Sequence, residues 1–172
     1  MNNYLSIITL NINGLNAPIK RHRIAEWIRK HDPHICCLQD PSHDKRLTET
    51  ESEGLETNFP SKRTGKNPGV AILISDKIDF QRRAIKRDPE GHFIILKGRI
   101  HQEAINIVNI YTPNIGAPKY IKKILHYFKK DIDGNTIIVG DVKTPVSKMD
   151  RSSKQNINKD IVSLNNTLRK WT

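Results

Sequence analysis

Four polar residues stand at the ends of apolar runs: Asn11 in TLNINGLN, Asp40 in CCLQDPSH, Tyr111 in VNIYTPN and Asp141 in IVGDVKTP. The apolar runs read as strands. Strand ends in α/β proteins collect ligands because the loops there present side chains above a rigid sheet. Each residue also has a plainer reading. Asn11 and Asp40 suit turns, Tyr111 suits a strand as an ordinary aromatic, and Asp141 suits a cap after Gly140. The cysteines offer no competing chemistry: Cys36 and Cys37 are sequence neighbours inside an apolar run, and neither a disulfide framework nor a zinc site is built from such a pair.

The elements that must position these residues alternate apolar runs with amphipathic stretches, the pattern of a mixed α/β domain. Ser6 to Ile12 reads as a first strand, mostly buried. Asn16 is placed to cap a helix with Pro18 in its first turn, with Ile24, Trp27 and Ile28 on its apolar face. That helix ends near Asp32-Pro33, because the residue before proline avoids the helical region. Ile35 to Gln39 is a second strand. Residues 40–68 read as a long surface loop with one short helix around 47–56. Strands follow at Val70–Ser75, Phe80–Lys86, Phe93–Lys97 and Ile105–Tyr111, with turn chemistry at Asp88-Pro89-Glu90-Gly91. Their short links predict antiparallel pairing. A second helix spans about Pro118 to Lys130 with Ile121, Ile124, Leu125 and Phe128 on one face. Thr136–Gly140 reads as a buried strand, and Ile161, Leu164 and Leu168 mark a third helix.

The chain has 172 residues, enough for a real core, and a formal net charge of +11. The charge is uneven: residues 1–60 hold 7 basic and 8 acidic groups, whereas residues 61–172 hold 22 and 10. That excess fits either a polyanion partner or a solvated basic surface. Apolar runs are too short for a membrane-spanning helix, and the N-terminus lacks the pattern of a signal peptide. An intracellular protein is expected, nuclear if it acts on genomic DNA and otherwise cytoplasmic.

Taken in order, TLNINGLN, CLQD, GVAILIS, NIYTPN and IVGD resemble the endonuclease/exonuclease/phosphatase superfamily, and most closely the endonuclease domain of the mammalian LINE retrotransposon polyprotein. IKRHRIAEWI, DKIDFQRRAIKRDPEGHFIILKG and IGAPKYIK extend the likeness beyond the site motifs. The resemblance implies a DNase I-like, four-layered α/β/β/α sandwich, with residues 1–172 forming one domain that stops before the last third of the fold. It implies divalent-metal-dependent cleavage of DNA phosphodiesters with Mg²⁺ or Mn²⁺ and no small-molecule cofactor. Carried over by position, Asn11 and Asp40 are metal ligands and Tyr111 hydrogen-bonds the phosphate. Asp141 orients or deprotonates the attacking water. Lys143 stands where the family has an Asn beside the reacting phosphate.

Three departures accompany the match. Asp40 replaces the family's Glu and is one methylene shorter, while Mg²⁺ demands ligands near an ideal octahedron at about 2.0–2.1 Å. Pro41 stiffens the same loop. Lys143, two residues from Asp141 in extended chain, faces the same way; its ammonium pairs with Asp141 or with phosphate, but accepts no proton from water. The family's Ser-Asp-His motif does not occur among these residues, and the seven histidines sit in other contexts.

Three functional readings follow: a Mg²⁺-dependent nuclease with impaired turnover, a catalytically inactive nucleic-acid binder, and a retrotransposon remnant without a selected role. A lipid phosphodiesterase of the same superfamily fits less well, because the similarities outside the site point to the LINE branch. If sheet strands are lacking, an exposed sheet edge would promote self-association. The basic excess predicts sequence-independent DNA binding through counterion release. Fluorescence anisotropy with unrelated duplexes checks it: affinity is expected to fall steeply from low to physiological salt, and an unchanged Kd would leave the charge as a solvated surface.

Overall fold

The structure, a computed structural model, describes residues 4–13, 17–39, 57–60, 69–112 and 117–141. The chain divides into two compact units, residues 1–111 with 135–141 and residues 112–134 with 142–172. The first unit holds two four-stranded sheets. In one, β1 (Ile7–Asn11), β2 (Ile35–Gln39), β3 (Thr57–Pro60) and β4 (Val70–Ile74) lie in the order β1-β2-β4-β3. In the other, β5 (Phe80–Arg87), β6 (Phe93–Ile100), β7 (Glu103–Tyr111) and β8 (Thr136–Asp141) lie in sequence order. The β1–β2 and β7–β8 pairs are parallel and the remaining pairs antiparallel, so both sheets are mixed.

The two sheets face each other across an apolar layer. Ile35, Cys37, Val70, Ile72 and Ile74 of the first meet Ile94, Leu96, Ile105, Ile107 and Tyr111 of the second. The other face of the first sheet, with Cys36, Leu38 and Ala71, is covered by Ile24 and Ile28 of α1 (Pro18–His31). Strand β2 is therefore buried on both faces, which is why ICCLQ is continuously apolar up to its last residue. Each fully buried aliphatic side chain in these layers stabilises the fold by about 1.5–3 kcal/mol. Helix α1 stops where Asp32 turns left-handed at φ 46° and donates its N–H to the Ile28 carbonyl.

In the second unit, α2 (Ala117–Phe128) buries Ile121, Ile124, Leu125 and Phe128, the face expected from their spacing. Its last turn closes as the N–H groups of Asp131 and Ile132 both reach the Phe128 carbonyl. Among the described residues no helix is long and apolar enough to cross a membrane.

Several expectations need correction. Residues 57–60, read as loop, form β3 against β4; too short to show a period, this strand is made by its partner. The Val70 strand does not continue into the antiparallel meander but pairs with β2 and β3 in the first sheet. Strand β1 is only partly buried, because it lies at a sheet edge beside β2 alone among the described strands. Strand β8, expected to be buried, leaves Ile137 and Ile138 37% and 39% exposed for the same reason. The N-cap is Ala17, which makes no side-chain hydrogen bond, and Trp27 stays partly exposed, stacked on His31 at 3.9 Å. The expected cap Asn16, the helix at 47–56 and the helix carrying Ile161, Leu164 and Leu168 lie outside the described residues.

Gly140 sits in β8 at φ 142°, and a Cβ there would overlap the Ile110 carbonyl oxygen on β7. Gly140→Ala is therefore expected to push β8 from β7 and destabilise the protein by about 1–3 kcal/mol, read as a lower midpoint in urea unfolding. Burial raises the Cys36 thiol from its ordinary value of 9.0 to about 12, and Cys37 higher still. Both thiols are thus expected to resist iodoacetamide at pH 8 until the chain is unfolded. Because the folded values lie above the unfolded one, this stabilising contribution is complete below pH 9 and declines as pH rises towards 12. A melting temperature unchanged from pH 8 to pH 11 would contradict it.

Candidate active site

Three of the five residues singled out by sequence come together at one end of the two-sheet sandwich. Asn11 ends β1, Tyr111 ends β7 and Asp141 ends β8. Tyr111 and Asp141 are register partners in the parallel β7–β8 pair, so their side chains leave the same face of that sheet. From the opposite sheet, Asn11 reaches across and its Nδ2 donates to Asp141 Oδ2 at 2.6 Å. One hydrogen bond thus joins residues 130 apart in sequence. Asp40 and Lys143, the other two candidates, lie outside the described residues.

Each partner is oriented by its own neighbours. Asn13 adopts a left-handed conformation, φ 52°, and its backbone N–H donates to Asn11 Oδ1 at 3.1 Å. Asparagine tolerates that conformation better than most residues. Lys20 Nζ from α1 holds the Asn13 carbonyl at 2.9 Å, tying the loop after β1 to the helix. The Asn11 amide is therefore fixed at both ends, with the oxygen towards Asn13 and the nitrogen towards Asp141. On the other side the Tyr111 N–H donates to the His92 carbonyl at 2.7 Å, while the Tyr111 ring packs into the inter-sheet layer.

His92 belongs to the β5–β6 turn, where Asp88, Glu90 and His92 bring ligand atoms within 4.8 Å of one another. Asp88 Oδ2 accepts the His92 backbone N–H at 2.9 Å and lies 3.2 Å from His92 Nδ1. This cluster shapes the turn that holds Tyr111 by its backbone.

Directly beneath the site runs a row of amides. Thr9 stands two residues before Asn11 on β1, and Asn109 two residues before Tyr111 on β7, so each shares a face with its site residue. Gln39 Nε2 donates to Thr9 Oγ1 at 2.9 Å and to Asn109 Oδ1 at 2.7 Å. Asn109 Nδ2 donates to the backbone carbonyls of Leu38 and Ala71 at 3.0 and 2.9 Å. Gln39 and Asn109 are 1% and 0% exposed. Sequence reading passed over Asn13, Gln39 and Asn109. The available signal was a polar residue within a run of apolar neighbours, Gln39 after ICCL and Asn109 between Val108 and Ile110, since such groups are kept only where they find partners.

The donors gathered here are amide and carboxylate oxygens, a set suited to hard divalent cations such as Mg²⁺ or Mn²⁺. The buried thiols, which softer metals prefer, take no part.

Comparison with known proteins bears on the family and the fold. A family profile described as endonuclease/exonuclease/phosphatase matches residues 8–149. The Transposon TX1 uncharacterized 149 kDa protein of Xenopus laevis is 26% identical over 86% of this chain and 12% of its own length. The DNA repair nuclease APEX1 of Danio rerio is 24% identical over 83% of this chain and 46% of its own. The chain thus spans less than half the length of either relative. Among solved structures, the endonuclease domain of TRAS1, a telomere-specific non-LTR retrotransposon, superposes with a TM-score of 0.70 at 17% identity, covering 95% of this chain and 71% of that one. An AP endonuclease from Archaeoglobus fulgidus gives 0.69 at 19% identity, covering 97% and 70%. With two facing mixed sheets, the strand-end cluster and a profile match over most of its length, the chain belongs to the endonuclease/exonuclease/phosphatase family.

Proposed function

We propose that this chain is a DNA endonuclease domain of the retrotransposon type, dependent on Mg²⁺ or Mn²⁺ and impaired in catalysis. The observation that carries the reading is the Asn11–Asp141 hydrogen bond beside Tyr111, three polar groups from two sheets meeting at strand ends. The named activities of relatives support it: a DNA repair nuclease, a retrotransposon endonuclease domain, and a Danio rerio TDP2 solved with a single-strand DNA product. Residues 1–172 are assigned to one such domain, with DNA as the partner.

Asn11 and Asp40 would hold the cation. Once bound, it neutralises charge on the scissile phosphate. Tyr111 donates its hydroxyl to a phosphate oxygen, and Asp141 Oδ1 or Oδ2 takes a proton from the attacking water. In the resting arrangement Asp141 Oδ2 accepts from Asn11, a bond that aims the carboxylate. Lys143 supplies a cation where the family offers an amide carbonyl, and the shorter Asp40 reaches less far. Both departures favour a second reading, an inactive nucleic-acid binder that keeps the basic surface. Self-association is assigned to the β8 edge, which has no strand on its far side among the described residues.

Supercoiled-plasmid nicking with Mg²⁺ tests the reading. A positioned acid–base group contributes about 10²–10⁴-fold. With a shorter Asp40 and with Lys143 near Asp141, nicking is expected below that of the TRAS1 endonuclease domain, and Asp141→Ala is expected to lower the remainder at least about 100-fold. A rate equal to that domain would refute impairment. A rate indifferent to Asp141→Ala would refute the site, and salt-sensitive DNA binding without nicking would favour the inactive binder.

A further inference from the structure

We propose that Asn109, backed by Gln39, is the positioning residue of this site: it sets the register between the two sheets, and through it the meeting of Asn11 with Asp141. The inference rests on the reading of Asn11, Tyr111 and Asp141 as the site, and adds residues that no motif marks.

Asn11 and Asp141 sit on different sheets, so their 2.6 Å contact depends on how one sheet lies over the other. The apolar layer between the sheets resists separation but has no direction, and a small slide exchanges one set of aliphatic contacts for another. The Asn109 amide has direction. From β7 it places both hydrogens on carbonyls of two different strands of the opposite sheet, Leu38 on β2 and Ala71 on β4, which are themselves register partners. Its oxygen accepts from Gln39, whose nitrogen also holds Thr9 on β1. The network therefore ties together β1, β2, β4 and β7, among them the two strands that carry Asn11 and Tyr111.

The placement is one step below the site. Thr9 and Asn109 each stand two residues from a site residue on the same strand face, and Gln39 immediately precedes Asp40. A slide of about 1 Å along the Asn11–Asp141 bond would stretch it to about 3.6 Å, out of hydrogen-bonding range. A slide that parts the Asn109 side chain from the opposite sheet would leave its buried amide hydrogens unpaired. A purely stabilising amide would serve anywhere in the core; this one lies where register matters to the chemistry.

The test compares Asn109→Leu and Gln39→Met with Asn106→Ala. Asn106 is a buried amide of the same strand β7, bonded to Thr136 Oγ1 on the opposite face. Two readouts are taken: the ¹⁵N–¹H signals of the Asn11 side-chain amide, with Asp141→Ala as the reference for a broken pair, and Mn²⁺ affinity. Residues that orient metal ligands typically cost about 10–100-fold in affinity when replaced. In Asn109→Leu the Asn11 signals should move towards the Asp141→Ala positions and Mn²⁺ affinity should fall at least about tenfold. Gln39→Met should shift the signals the same way by less, and it decides the matter if Asn109→Leu does not fold. Asn106→Ala should lower the melting temperature and leave both readouts in place. Asn11 signals that stay at their wild-type positions in the Asn109 and Gln39 variants would overturn the inference, and so would an equal shift in Asn106→Ala. A wild-type protein that binds no Mn²⁺ would count against the proposed function alone, because the amide signals still decide the register.

Discussion

The candidate site is divided between two sheets, and no single strand or loop contains enough of it to act. Tyr111 and Asp141 are held by one parallel ladder, and Asn11 is held by another sheet altogether. Everything else follows from keeping the two sheets in one relative position. Apolar packing supplies most of the free energy of that contact but little of its direction. Direction comes from the amides of Gln39 and Asn109, buried where unpaired polar groups are costly, with the exposed Thr9 hydroxyl bonded at one end. An unsatisfied buried group costs about 1–3 kcal/mol, so a displacement that breaks several of these bonds is steeply opposed.

The same economy of parts appears around each site residue. Asn11 is aimed by a backbone N–H from Asn13, and Asn13 by Lys20 on the first helix. Tyr111 is held by a carbonyl from a turn that its own carboxylates close. Asp141 follows a glycine at which a side chain would collide with the neighbouring strand. Each contact is modest, yet together they leave Asn11, Tyr111 and Asp141 few alternative positions, the kind of preorganisation that catalytic sites require.

Membership of the family and competence as an enzyme are separate matters here. The fold and the strand-end cluster depend on apolar patterning and on a few polar residues in place. Under the proposed function, turnover would depend further on the reach of the residue assigned to the metal and on what stands beside the carboxylate assigned to the water. Asp40 and Lys143 are the departures that the resemblance marks at those two points, while the chain carries a net charge of +11. A surface can keep its attraction for phosphate after its chemistry has weakened, because counterion release needs only charge, whereas catalysis needs geometry.

Most elements were legible from the sequence because their causes are local. The apolar runs ICCLQ and VAILI, the spacing of Ile121, Ile124, Leu125 and Phe128, and the proline after α1 all act within a few residues. That Asn11, Tyr111 and Asp141 stand at strand ends was legible because each closes an apolar run. Pairing was not legible. That Val70–Ile74 joins β2 rather than β5, that Thr57–Pro60 is a strand at all, and that Ile137 and Ile138 remain exposed are consequences of which strands become neighbours. Nor did any local feature show that Gln39 and Asn109, 70 residues apart, would share a hydrogen bond beneath the site. The sequence by itself determined the elements and the chemical types at their ends, because propensity and periodicity are short-range. Only the tertiary structure decided the contact of Asn11 with Asp141, because it is set by the register of one sheet upon another, which no stretch of chain encodes alone.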